Sequence, residues 1–170
     1  MINISDINNI YIIANNKNIS PELFKTIKYN DLVAVCNHDQ WCDVFKNHDY
    51  KIIFVRYAES IDSWWGYNKL NPENYKYVIF INGTNKISSY LHIKNRLIID
   101  NDNDIELYKK LKYPTNKWFS TGLIAYLFMK KNFPNKNIVL IGFTFEMSNE
   151  WHAGIYEKQY FLDNNVSILT

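Results

Sequence analysis

The sequence predicts an α/β domain built on a mostly parallel, doubly wound sheet with helices on its faces. Three observations carry that expectation. Short runs such as IYIIA at Ile10–Ala14 and KIIFVRY at Lys51–Tyr57 are apolar almost throughout rather than alternating, as strands buried on both faces must be. Between such runs lie stretches that carry helix-start and helix-stop residues. The two kinds of segment alternate along the chain instead of segregating.

The first strand is Ile10–Ala14, followed by a polar loop from Asn15 to Ser20. Ser20-Pro21-Glu22 places a capping hydroxyl before a proline at the first helical position, so a short helix is expected through about Ile27. Asp31–Cys36 (DLVAVC) is the second strand, with Cys36 buried, and Asp39–Phe45 is compatible with a helix. Lys51–Tyr57 is the third strand. Tyr75–Ile81 (YKYVIFI) is the fourth, ended by the turn pair Asn82-Gly83, and Arg96–Asp100 is a fifth, at an edge. Ser120 to Asn132 is the clearest helix: Ser120 or Thr121 caps it, Lys130 and Lys131 occupy its last turn, and Pro134 follows. It is apolar nearly all round and should be buried. Asn137–Phe143 (NIVLIGF) is a core strand, Gly154 to Asp163 a helix, and Val166–Leu169 a terminal strand. Glu59 to Asn74, with Trp64 and Trp65, reads as a loop over the cleft.

Composition narrows the possibilities. A length of 170 residues fits one domain with a single core, and 47% hydrophobic against 21% charged residues is a globular balance. The net charge is +2 and the lysines are scattered, which argues against a nucleic-acid partner. No apolar run is long enough to span a bilayer and no signal peptide is expected at the start, so the expected location is cytoplasmic, with any membrane contact peripheral. Cys36 and Cys42 form neither a CxxC pair nor a disulfide framework, and reduced thiols are expected. Aromatic residues reach 16%, which suits a sugar-binding cleft and equally suits a packed core.

Open α/β sheets bind ligands beyond the carboxyl ends of their strands. Three such ends carry small polar residues: Asn15-Asn16, Asn37-His38-Asp39 and Gly142-Phe143-Thr144. Ser120-Thr121-Gly122 opens the long apolar helix, where unpaired backbone amides attract anions and glycine allows a close approach. His152 is the best candidate general base, since a neutral imidazole can take a proton from a hydroxyl near pH 7. Glu157 follows it, and the two side chains can meet only if His152 precedes the helix. His48 and His92 read as structural, and His38 as intermediate. Neither a metal site nor a cofactor is expected: HExxH, paired CxxC and EF-hand patterns are absent, and Asp102 and Asp104 lie in a polar turn.

Together these residues resemble a family pattern. FSTGLIAYLFMKKNFPNKNIVLIGFTF, from Phe119 to Phe145, resembles the small sialylmotif of sialyltransferases, and His152 with Glu157 resembles the very small one. IYIIANN and DLVAVCN, ending at Asn16 and Asn37, resemble the two ends of the large sialylmotif, although Ala14 and Asn16 stand where glycines are usual and Val35 where an arginine is usual. The resemblance implies a Rossmann-like glycosyltransferase that moves a sialic acid-like sugar from a CMP-linked donor to a glycan or lipid-linked glycan, with inversion and without a metal. It implies His152 as general base. Ser120, Thr121 and Gly122 would hold the donor's carboxylate and phosphate, Asn15 and Asn37 the nucleotide, and Gly142, Phe143 and Thr144 its ribose or base. The alternatives are a catalytically silent nucleotide- or glycan-binding module, or a nucleotide-sugar hydrolase on the same fold.

Overall fold

The computed structural model describes residues 7–37, 40–56, 71–81, 93–99, 109–114, 116–146 and 153–170. Seven strands form one sheet: β1 (Asn9–Ile13), β2 (Leu32–Cys36), β3 (Lys51–Arg56), β4 (Tyr77–Ile81), β5 (Arg96–Ile99), β6 (Asn137–Ile141) and β7 (Ser167–Leu169). Their order is β5-β4-β3-β2-β1-β6-β7, and every neighbouring pair is parallel. Among the described residues two complete α-helices accompany them, α1 (Thr121–Asn132) and α2 (Gly154–Asp163), and residues 109–111 are also helical. This is the Rossmann-like α/β architecture that the apolar runs predicted.

The burial pattern explains the sequence pattern. Every residue of β2 and β3 is buried, because both faces of the central strands are covered. On one face Ile10, Ile12, Leu32, Ala34, Ile52 and Phe54 pack with Leu123, Ile124 and Met129 of α1 and Phe161 of α2. On the other, Tyr11, Ile13, Val33, Val35 and Ile53 pack with Phe24, Ile27 and Phe45. The edge strands β5 and β7 are only partly covered, as the expected edge position of Arg96–Asp100 implied.

One segment differs from expectation, while the expected short helix after Ser20 is present as a 3-10 helix, Pro21–Thr26. Its buried anchors Phe24 and Ile27 are three apart, the repeat of a 3-10 helix, and Ser20 makes no side-chain cap. Residues 40–47 form successive turns, not a helix. Their backbone bonds mix four-residue and three-residue spacing, and the Cys42 carbonyl faces Lys51 Nζ at 3.5 Å. Packing of Phe45 and Trp41 edge-on to Phe24, at 5.2 and 5.0 Å between ring centres, fixes this segment from the side. Glu59 to Leu70 of the expected loop over the cleft, Trp64 and Trp65 included, lies outside the described residues.

Candidate functional site

The chain builds the sheet outward from β1 to β5, then returns to the other side of β1 with β6 and β7. The carboxyl edge between β1 and β6 is therefore the switch point of the strand order, the place where open α/β sheets bind ligands. Asn16 laces together the loops that leave these two strands: its Nδ2 donates to the Gly142 carbonyl at 3.3 Å, and its Oδ1 accepts from the Asn18 amide at 2.9 Å. Asn15 beside it is exposed, as is Thr144 on the other loop, and the side chain of neither bonds any described residue.

Gly142 has φ +76°, and a Cβ there would lie 2.3 Å from Ile19 Cδ1. Both the left-handed backbone and the close neighbour require glycine. At Gly122 a Cβ would lie 2.1 Å from Phe143 Cε1. The Phe143 ring fills the space beside Gly122, so the absence of a side chain there serves helix-to-loop packing.

Asn37 ends β2 in the left-handed region, at φ 64°, which asparagine tolerates. Its Oδ1 accepts from the Arg56 amide at 3.1 Å and from the Thr121 hydroxyl at 3.2 Å. A backbone N–H can only donate, so the side-chain atom facing Arg56 is the oxygen and the NH2 is left facing elsewhere. That NH2 bonds no acceptor among the described residues, and the residue is half-buried. The Thr121 and Gly122 amides, at the first turn of α1, likewise take no acceptor among the described residues.

Glu157, in the first turn of α2, is only 3% exposed. Its Oε1 accepts from the Ser120 amide at 2.8 Å and its Oε2 from the Ser120 hydroxyl at 2.5 Å. The Tyr113 hydroxyl lies 2.9 Å from both Glu157 Oε1 and the Trp118 carbonyl, which share its one proton, and it accepts from the Ala153 amide at 3.1 Å. Ser120 Oγ also accepts from the Leu123 amide at 3.1 Å, which identifies Ser120 as the cap of α1. The N-termini of both helices thus converge on one carboxylate, where their dipoles favour negative charge. The hydroxyl and amide of Ser120 both go to Glu157.

Sequence reasoning missed Arg56. It closes β3, is 7% exposed, and sends its Nη2 to the Phe119 carbonyl just before the α1 cap. Its guanidinium lies 5.9 Å from the centre of the half-exposed Trp118 ring. A lone basic residue closing the apolar run KIIFVR was the available signal. Through the register Cys36 to Phe54 it comes to lie beside Asn37.

The carboxyl edge thus brings Asn16 to Gly142, Asn37 and Arg56 to the start of α1, Phe143 onto Gly122, and Glu157 onto Ser120. His152, His38, Asp39, His92, Asp102 and Asp104 lie outside the described residues. An apolar hollow of about 250 Å³ is lined by Ile52, Tyr77, Leu97 and Phe133, at the opposite ends of β3 and α1 from Arg56 and Ser120. Among the described residues no three His, Cys, Asp or Glu side chains could hold a metal ion, and no helix is long and apolar enough to cross a membrane. Among the described residues the edge offers a ligand the Thr121 and Gly122 amides and the Asn37 NH2, donors that suit an anionic, acceptor-rich group. No protein-family model matches the chain, and no curated protein matches it in sequence.

Proposed function

We propose that the chain is a sialyltransferase-like glycosyltransferase. It moves a sialic acid-like sugar from a CMP-linked donor to a glycan or lipid-linked glycan, with inversion and without a metal, and His152 takes the proton of the acceptor hydroxyl. One observation supports this reading above the others: Glu157, the acidic residue of the His-x4-Glu pattern, holds Ser120 at the Ser-Thr-Gly helix start. In a transfer of this kind the leaving group is an anionic phosphate. Donors fixed at the start of α1 stabilise the charge that develops on it. Asn37 presents its NH2 to the nucleotide, and Thr121 and Gly122 present their amides to the phosphate or carboxylate. Ser120 and Glu157 act as positioning residues that hold the helix start against α2.

The test has two parts. CMP should raise the melting temperature of the protein more than CDP, UDP or GDP does, as mass action requires of a ligand bound only to the folded state. His152→Ala should keep that stabilisation and lose transfer to the acceptor. A folded His152→Ala protein with full transfer would overturn the mechanism, and preference for a diphosphate would overturn the donor.

A second reading, a catalytically silent nucleotide- or glycan-binding module, is favoured by one feature: Ser120 and Glu157 spend their polar atoms on each other. It predicts CMP or glycan binding with no turnover and no effect of His152. A nucleotide-sugar hydrolase would instead release free sugar whether or not acceptor is present.

A further inference from the structure

The lysines are spread along the chain as a whole, but from Leu107 to Phe145 there are seven of them and no acidic residue, and four of the seven, Lys109, Lys110, Lys112 and Lys117, fall within nine residues. Lys109, Lys110 and Lys112 are exposed. The fold brings this segment to the start of α2. The Tyr113 hydroxyl accepts from the Ala153 amide at 3.1 Å, and its ring centre lies 6.4 Å from that of Tyr156. Lys158, exposed on α2, adds a fifth positive charge. The one carboxylate among the described residues of 109–118 and 153–162, Glu157, is buried and bonded to Ser120, so it does not offset the lysines at the surface. Large apolar side chains accompany these charges. Ile155 is 70% exposed, Tyr156 52%, and Trp118, whose carbonyl lies 2.9 Å from the Tyr113 hydroxyl, 49%. Three such side chains in water around one tyrosine run against the burial that shapes the rest of the chain.

We propose that this corner is a docking surface for an anionic lipid bilayer, with Ile155, Tyr156 and Trp118 entering the interface and Lys110, Lys112 and Lys158 meeting the lipid phosphates. Charge complementarity selects the occupant. The lysines call for an anionic surface, and Ile155 calls for a hydrocarbon one. An anionic bilayer supplies both within the depth of its headgroup layer, where tryptophan and tyrosine rings settle and lysine stems lie along apolar surface with their charges in water. A nucleic acid supplies the anions and stacking partners for the two rings, but it leaves Ile155, the most exposed large apolar side chain among the described residues, against a charged backbone. Lys130 and Lys131 are the internal contrast: they are also exposed, but at the opposite end of α1. The surface adjoins the α1 start, so a docked protein would hold the candidate donor site beside a lipid-linked acceptor. The docking itself does not rest on the donor-binding reading.

The experiment is co-sedimentation of the full chain with vesicles of phosphatidylcholine alone or mixed with phosphatidylglycerol, at low and at physiological salt. The protein should bind the mixed vesicles, more weakly as salt rises, and leave the neutral ones in the supernatant. Lys110→Gln with Lys112→Gln should weaken binding by about twenty-five-fold, about fivefold for each positive charge lost near the surface. Ile155→Ser should weaken it by about tenfold, the effect of losing a partly buried aliphatic side chain. Lys130→Gln with Lys131→Gln, the same change of charge at the opposite end of α1, should leave it unchanged. All five positions are exposed, so the variants should keep the fold, which circular dichroism checks. Failure to bind the mixed vesicles at low salt overturns the proposal. So does an equal loss in the two lysine pairs, or a folded Ile155→Ser protein that binds like the wild type. Tighter binding to a single-stranded oligonucleotide than to the mixed vesicles at equal salt overturns the bilayer in favour of a nucleic acid.

Discussion

Glu157 is buried, and burial of a carboxylate is offset only when donors meet it. Here Ser120 supplies two and Tyr113 shares a third. Glu157→Gln keeps the shape but turns one oxygen into a donor facing the donors of Ser120. We expect a loss of about 1–3 kcal/mol in chemical denaturation, the usual penalty for an unsatisfied buried polar group; an unchanged midpoint would show that the clasp carries no stability. Asn37 permits a sharper separation of folding from binding. Asn37→Asp retains an oxygen for the Arg56 amide and the Thr121 hydroxyl, but removes the NH2 and adds a negative charge at the carboxyl edge. The expected result is a melting temperature close to wild type with CMP affinity reduced by tenfold or more, of the order of one charge-assisted hydrogen bond. Calorimetry with CMP checks it, and retained affinity would mean that Asn37 does not face the ligand.

At the scale of elements, the start of α1 is the joint of the molecule. Ser120 caps it, Gly122 admits Phe143 from the loop after β6, and Thr121 reaches Asn37 at the end of β2. Helix, sheet edge and returning loop are therefore fixed relative to one another by small residues. A Cβ at Gly122 cannot coexist with the Phe143 ring where it stands. Gly122→Ala should cost about 1–3 kcal/mol, the range for overpacking, and Gly122→Ala with Phe143→Leu should recover part of it. Stability measured on the two proteins checks this, and equal losses would mean that the ring moves freely. Ser120→Ala should lose about 1 kcal/mol as a missing cap and more through the donors withdrawn from Glu157.

For the whole molecule, pH dependence joins the second face of the sheet to folding. Burial pushes the imidazole of His48 below the ordinary histidine value; the Lys51 charge acts the same way, and Asp31 and Asp49 oppose it. The ring packs edge-on to Phe45 at 5.3 Å, and its Nδ1 is buried without a partner among the described residues. Below about pH 6.5, the unperturbed histidine value, the unfolded chain binds this proton more readily than the folded one. Stability is therefore complete above that pH and falls as pH drops, until folded His48 also titrates. Melting temperatures from pH 7 to 5 should decline more steeply for the wild type than for His48→Gln. Parallel curves would remove His48 as the responsible group.

Much of this architecture follows from the sequence by itself. Runs such as IIFV and LVAV can be nothing but strands covered on both faces, so β1, β2, β3, β4 and β6 were legible to within a residue or two. The same holds for α1 and α2, whose ends are marked by local chemistry: Ser120 before the first turn of α1, Lys130 and Lys131 in its last, and Gly154 to Asp163 as read. Asn16, Asn37, Gly142 and Ser120 could be marked as candidates because position at a strand or helix end is also local. What each does is not local. Asn37 accepts two bonds because the parallel register sets Arg56 beside it and α1 brings Thr121 above it. Gly122 is glycine because of a phenylalanine on another strand's loop, and Lys51 meets Cys42 only because residues 40–47 fold back as turns rather than running on as a helix. Strand and helix signals arise from neighbours in the chain. Partners across the sheet are chosen by register and packing, which no single stretch of sequence contains.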